Sequence, residues 1–282
     1  PASRCLVGRG SDEAIDLLVR AFCRAGTDRV VICPPTFGFY KVAARIQGAE
    51  VVEVPLLEAG FALDTDAVIA AGRRARIVFL CSPNNPTGNL LDERAILSIC
   101  LALASHALVC VDEAYIEFSS RASLTSRLVG LPNLVVLRTL SKAYALAGAR
   151  CGTLIASEEI VDLLKRIIPP YAIPSSTVEE VLQLTEAPQR AISAERIRTV
   201  LAERSRMRSR LEASRAVVRV WPSDANFLLV QCRDAARFLE AGKSAGLLVR
   251  DFSSAPRLAG CLRISVGTPE QNERLLDAVE RS

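Results

Sequence analysis

Residues 76–115, RIVFLCSPNNPTGNLLDERAILSICLALASHALVCVDEAY, hold two uninterrupted apolar runs separated by a turn and an amphipathic stretch. RIVFLCS (76–82) and ALVCVDE (107–113) lack polar alternation, so each reads as a strand covered on both faces. Pro83, Pro86 and Gly88 mark a turn in SPNNPTGN. DERAILSICLALAS (92–105) then repeats its apolar residues at helical spacing. Strand, crossover helix and second buried strand make a unit of a parallel sheet.

The same alternation extends in both directions. RVVIC (29–33), EVVEVP (50–55), LVVLRT (134–139) and CGTLIA (151–156) read as further buried strands, with helices over 11–26, 39–48 and 157–168. The fold class is therefore α/β, a mostly parallel sheet wrapped by helices. The character changes after PPYAIPSS (169–176). Long helices are expected over 175–213, then strands over 217–222 and 226–232, a helix over 234–246, strands over 247–252 and 261–266, and a closing helix from Pro269. A chain of 282 residues exceeds what one core usually organises. A large domain over 1–190 and a smaller C-terminal α/β domain over 191–282 are expected.

Half of the residues are hydrophobic and the formal net charge is +4. Disorder is excluded by that core content, and no basic block points to nucleic acid. The densest cationic run, ERSRMRSRLEASR (203–215), interleaves acids and apolar residues and reads as a solvated helix face. Nine cysteines contain no C-x-x-C, and His106 is the sole histidine, so no metal site of the usual ligand types is expected. Most cysteines sit in apolar runs as buried thiols, which fits a reducing cytoplasm. No stretch is apolar enough for a membrane helix. The chain enters a strand–turn–helix within its first dozen residues, so an N-terminal segment is expected to be missing from this sequence.

The polar residues cluster where strands end: GRGSDE, PPTFGFY, SPNNPTG, VDEAY and TLSK. Ligands of open α/β sheets collect there, and five such loops read as one composite site. Lys142 stands alone in TLSKAYALAGAR, a run that otherwise reads as buried; desolvation or neighbouring cations would make it a nucleophile near neutral pH. Asp112 would emerge from a strand end, either as a functional carboxylate or as a helix cap. One turn could aim Tyr115 the same way. Either Asn84 or Asn85 could present its amide from the SPNNPTG turn. Ser11 and Asp12 open a helix suited to an anion, or serve as ordinary caps.

SPNNPTG, VDEAY, RTLSKAYALAGARCG and LRISVGT, in this order and spacing, resemble the motifs of the pyridoxal-phosphate (PLP) aminotransferases of the aspartate aminotransferase fold. GRGSDEAIDLLVRAFC, CPPTFGFY, VDEAYIEF and GCLRISVGTPEQN look most like the members that act on histidinol phosphate. The resemblance implies that Lys142 binds PLP as a Schiff base, that Asp112 pairs with the pyridinium nitrogen, and that Asn85 and Tyr115 hydrogen-bond the ring's 3-oxygen. It implies stacking by Phe37, at a place where close relatives often carry Tyr. Ser11, Asp12, Thr139, Ser141 and Arg150 would hold the phosphate, with Asp12 acting through its backbone N–H or a water. Arg263 would grip the α-carboxylate of glutamate or 2-oxoglutarate, and Arg250 the distal anion. The implied activity is transamination between histidinol phosphate and 2-oxoglutarate in histidine biosynthesis, by a homodimer without nucleic-acid or membrane partners. A PLP-dependent decarboxylase of a phosphorylated amino acid and a PLP-binding fragment without turnover are the alternatives. Arg138, His106 and Trp221 are assigned no functional role.

Overall fold

A computed structural model describes residues 1–184 and 186–281. Its larger sheet contains β1 (Cys5–Gly8), β2 (Arg29–Ile32), β3 (Glu50–Glu53), β4 (Ile77–Cys81), β5 (Leu108–Asp112), β6 (Leu134–Thr139) and β7 (Gly152–Ile155), in the order β1-β7-β6-β5-β4-β2-β3. The strands from β3 to β6 pair in parallel, whereas β7 runs antiparallel to β6 and β1 antiparallel to β7. Strand pleating divides the core between two faces. Val78 and Leu80 join one apolar cluster, while Ile77, Phe79 and Cys81 of the same strand join the other.

The helices cover both faces. α1 (Ser11–Phe22), α2 (Phe39–Gln47) and α5 (Glu158–Lys165) bury Ile15, Leu18, Ala43, Val161 and Leu164 against one face. α3 (Thr65–Gly72) and α4 (Glu93–Ala102) bury Val68, Ile96 and Ile99 against the other. Each of α3 and α4 starts where an aspartate accepts a backbone N–H: Asp64 from Ala67 at 3.1 Å and Asp92 from Arg94 at 3.2 Å. α3 was not among the expected helices, because DTDAVIAAG is too short to show a helical period.

α6 (Ser175–Leu184) and α7 (Ala187–Ala213) lead to a second sheet of β8 (Val217–Val220), β9 (Phe227–Cys232), β10 (Arg250–Asp251) and β11 (Cys261–Ser265), ordered β10-β11-β9-β8 and antiparallel throughout. α8 (Ala235–Ser244) and α9 (Pro269–Arg281) complete it, and Met207, Leu211, Leu228, Leu262, Ile264 and Leu276 form its core. The expected division at residues 190 and 191 lies within the first turn of α7. The strand expected over 247–252 contracts to the two residues that pair with Arg263 and Leu262 of β11. The run 203–215 is more than a solvated face. Arg206 pairs with Glu203 at 2.9 Å and Glu273 at 2.5 Å, and Arg210 with Glu273 and Glu280, so α7 is tied to α9. Among the described residues, no helix is long and apolar enough to cross a membrane.

The second sheet touches the first at the SPNNPTG turn. Asp224 donates its N–H to the Gly88 carbonyl at 2.7 Å, and Arg263 reaches Asn85. Residues on both sheets thereby share one cleft.

Candidate active site

One cleft is lined by Gly10, Ser11, Asp12, Phe37, Asn85, Asp112, Tyr115, Thr139, Ser141, Lys142 and Arg150, together with Cys81, Ala114 and Ala147. All five polar loops contribute, each from the end of a strand of the large sheet.

Asp112 ends β5 and is 2 % exposed. Its Oδ2 accepts the Tyr40 hydroxyl at 2.7 Å and its Oδ1 accepts the Ala114 N–H at 3.1 Å. The local cap and the site-facing role therefore coexist. Burial pushes its carboxyl up to about 6; the Tyr40 and Ala114 hydrogen bonds and Lys142 oppose that rise, while Asp12 adds to it. Tyr115 packs edge-on against Phe227 at 5.1 Å, and burial raises its phenol. Its hydroxyl has no protein hydrogen-bond partner among the described residues.

Lys142 follows β6, with its Nζ 5.5 Å from the Tyr115 ring centroid. Burial lowers its pKa, Arg263 lowers it further, Asp12 and Asp112 oppose, and Arg150 contributes least. Both expected influences are present, but the main cation comes from the second sheet rather than from the surrounding run. The run itself departs from expectation. Ala143 and Ala149 are buried, whereas Lys142, only partly desolvated, and Ala145, Ala147, Gly148 and Arg150 are exposed, because the segment crosses the sheet end in successive turns.

The two asparagines of SPNNPTG divide their roles. Asn84 is consumed internally: its Nδ2 donates to the Pro35 carbonyl at 2.8 Å and to Thr87 at 2.6 Å, and its Oδ1 accepts from Thr36. Asn85 faces the cleft, and its Oδ1 accepts Arg263 Nη1 at 2.6 Å. Phe37 stands edge-on to Tyr40 at 5.5 Å.

Another part of the cleft brings together the start of α1, two hydroxyls and a guanidinium. α1 is capped by Gly10 with no side-chain hydrogen bond, so neither Ser11 nor Asp12 caps it. The N–H groups of a first helical turn have no intrahelical acceptor. Thr139 donates to Ser141 Oγ at 2.9 Å, and the Arg150 guanidinium lies 3.9 Å from the Asp12 carboxylate. Two glycines allow the approach. Gly10 has φ +89°, and a Cβ on Gly152 would fall 2.5 Å from the Gly10 carbonyl carbon and 2.6 Å from Ser11 N.

Arg263 on β11 stands opposite Arg250 on β10. Its guanidinium lies over Phe227 at 5.0 Å and Phe252 at 5.7 Å, and its Nε is buried without a partner. Neither arginine has an ion pair among the described residues. Arg138 is structural, bonded to Glu117 at 2.6 Å and lying 3.9 Å from Glu113. Sequence reading missed Tyr40, whose buried position at helical spacing resembles any core residue, and missed the contact from Arg263 to Asn85.

The family model for class I and II aminotransferases matches residues 1–279. The chain is 48% identical over 278 residues to a histidinol-phosphate aminotransferase of Stenotrophomonas maltophilia, covering 97% of this chain and 76% of the relative. It is 49% identical over 275 residues to that of Xylella fastidiosa, covering 96% and 75%. Its backbone matches the crystal structure of histidinol-phosphate aminotransferase from Sinorhizobium meliloti in complex with pyridoxal-5'-phosphate with a TM-score of 0.89 at 25% identity, over 99% of this chain and 76% of that one. The sheet order, the five loops at the strand ends and these matches together place the chain in the class I and II aminotransferase family, among the histidinol-phosphate aminotransferases.

Proposed function

We propose that the protein uses PLP to transfer the amino group of histidinol phosphate to 2-oxoglutarate, yielding imidazole-acetol phosphate and glutamate in histidine biosynthesis. The carrying observation is the joint placement, in one cleft, of a lysine with lowered pKa, a buried carboxylate and an anion cradle, beside two arginines without ion pairs.

The cleft suits PLP on its own features. The exposed N–H groups of the α1 start, the Arg150 fork and the Thr139 and Ser141 hydroxyls match a phosphate dianion. The close approach permitted by Gly152 leaves the cradle open, and the Tyr115 hydroxyl is free to meet a ring oxygen together with Asn85. When bound, PLP supplies an electrophilic carbon for amines and a ring that withdraws electrons from the carbon being deprotonated.

The chain supplies the rest. Asp112, mostly ionised at neutral pH, holds a positive charge at a ring nitrogen. Phe37 covers a ring face. With PLP bound, Lys142 would act as a neutral amine that accepts and returns the proton of the substrate's amine-bearing carbon. Arg263 pairs with the carboxylate of glutamate or 2-oxoglutarate, and Arg250 with the distal phosphate or γ-carboxylate. Asp12 acts through its N–H, since its carboxylate already faces Arg150.

The same reading includes a homodimer, a cytoplasmic location and two domains divided near residues 190 and 191. The exposed apolar side chains of Leu163, Ile167, Tyr171 and Val178 support the first, and the nine free cysteines support the second. The test is to incubate the protein with PLP, histidinol phosphate and 2-oxoglutarate and to follow glutamate. Formation in the wild type and none in Lys142→Ala is expected. Carbon dioxide release from a phosphorylated amino acid without glutamate formation would overturn the proposal.

A further inference from the structure

Tyr40 is fully buried on α2, and nothing in its spacing separates it from a packing residue. Its contacts do. Its ring stacks on Phe79 with centroids 4.8 Å apart and planes at 2°, and takes the edge of Phe37 at 5.5 Å. Its hydroxyl donates to Asp112 Oδ2 at 2.7 Å. One side chain thus supports both Phe37 and Asp112, two of the residues assigned to the faces and nitrogen of a cofactor ring.

We infer that Tyr40 is a positioning residue of the proposed reaction, whose hydroxyl holds the Asp112 carboxylate in the orientation and charge state that a ring nitrogen requires. The inference rests on Asp112 being that ring partner. A buried carboxylate left with only the Ala114 N–H would be half satisfied, and a buried acid without donors takes up a proton. The groups that face Asp112 are Tyr40 from α2, Cys81 from β4, Cys110 from its own strand, Tyr115 from the loop after β5, Asp12 from α1 and Lys142 from the loop after β6. Burial keeps both thiols protonated, and it holds the Tyr40 phenol far above its ordinary range, so that Tyr40 remains a donor at any working pH. Asp12 favours the neutral acid, so Tyr40 and Lys142 are the side chains that keep it charged. Of these, Lys142 becomes neutral when it serves as a base. Tyr40 does not change, which makes it the constant support.

Tyr40→Phe removes one oxygen and leaves both ring contacts in place. PLP affinity of the full chain, measured by equilibrium dialysis across pH 5 to 9, is the readout. In the wild type, affinity falls as acid neutralises Asp112, near its value of about 6. In Tyr40→Phe that midpoint moves up by about one unit, so affinity drops by about twofold at pH 7 and by roughly tenfold at pH 5. Replacing Tyr40 with 3-fluorotyrosine, a stronger donor of the same shape, moves the midpoint down; this arm remains decisive if Tyr40→Phe fails to fold. A midpoint that stays within about 0.3 units in both variants overturns the inference. Asp112→Asn separates the two readings. If it binds PLP with the wild-type pH profile, Asp112 is not the ring partner; if it abolishes the profile while Tyr40→Phe leaves it in place, Tyr40 only packs.

Discussion

Gly152→Ala tests the anion cradle through its backbone. Gly152 opens β7, between Gly8 on β1 and Thr139 on β6. An added Cβ would sit 2.5 Å from the Gly10 carbonyl carbon, 2.6 Å from Ser11 N and 2.8 Å from Gly10 Cα, whereas ordinary contact begins at 3.4 Å. The start of α1 must therefore retreat by about 1 Å, since backbone atoms cannot rotate away as a side chain would. The rest of α1 cannot follow, because Ile15, Leu18 and Val19 are fully buried. Overpacking of this kind costs about 1–3 kcal/mol of stability. A 1 Å displacement also takes first-turn N–H groups out of hydrogen-bonding distance of an anion, and one charge-assisted bond is worth about 1.5–3 kcal/mol. PLP affinity should fall by roughly ten- to a hundredfold. Equilibrium dialysis with PLP and urea denaturation measure the two effects. Gly148→Ala, where no atom lies within 4 Å of the added carbon, is the control and should change neither. An affinity within about twofold of wild type, with a stability loss under about 0.5 kcal/mol, would refute the reasoning.

Arg263→Lys keeps the charge and loses the fork; kcat/KM for 2-oxoglutarate should fall by about ten- to a hundredfold, chiefly through KM, and unchanged steady-state kinetics would count against a carboxylate role. Asp112 rises from 3.8 to about 6 on folding, so the native state binds its proton more tightly than the unfolded chain does. Its contribution is most favourable below pH 4 and is lost as pH climbs to about 6. Asp112→Asn should therefore gain stability relative to wild type between pH 4 and pH 8, by on the order of 3 kcal/mol in PLP-free protein, as read by denaturant titration at both values. An equal effect at the two pH values would contradict the burial argument. Arg138→Met leaves Glu117 and the buried Glu113 without their cation and should cost about 3 kcal/mol in the same assay, whereas a loss near zero would show that the pair is already screened.

The features legible in the sequence were the local ones. Continuous apolar runs identified β4, β5 and β6 because both faces of those strands are covered, and the loops at their ends could be named because Pro, Gly and Asn leave few conformations. Asp112, Tyr115 and Lys142 were readable for the same reason, each standing next to a strand end. The antiparallel placement of β7 and β1 was not readable, since pairing direction leaves no mark on a short run. The choice between Asn84 and Asn85 required the partners of Asn84, of which Pro35 lies 49 residues away. Arg263 meets Asn85 across 178 residues, a separation at which periodicity and spacing carry no information. Tyr40 was invisible for a different reason: its ring obeys the core pattern of α2, and only the hydroxyl departs from it.

The charges that meet in the cleft come from both sheets. Arg250 and Arg263 stand opposite each other across β10 and β11, an arrangement that opposes pairing unless an anion intervenes. No acid pairs with either arginine among the described residues; water screens the exposed Arg250, and a bound anion would relieve the repulsion further. Arg263 meanwhile depresses the Lys142 pKa, while Asp112 opposes it. A carboxylate bound by Arg263 offsets that influence and leaves Lys142 more basic once the ligand is seated. Asp112 keeps two hydrogen bonds, from Tyr40 and the Ala114 N–H, that do not depend on this change. In the proposed reaction, the large sheet would hold the fixed charge of Asp112, and the second sheet would bring the arginine charge that a bound carboxylate offsets.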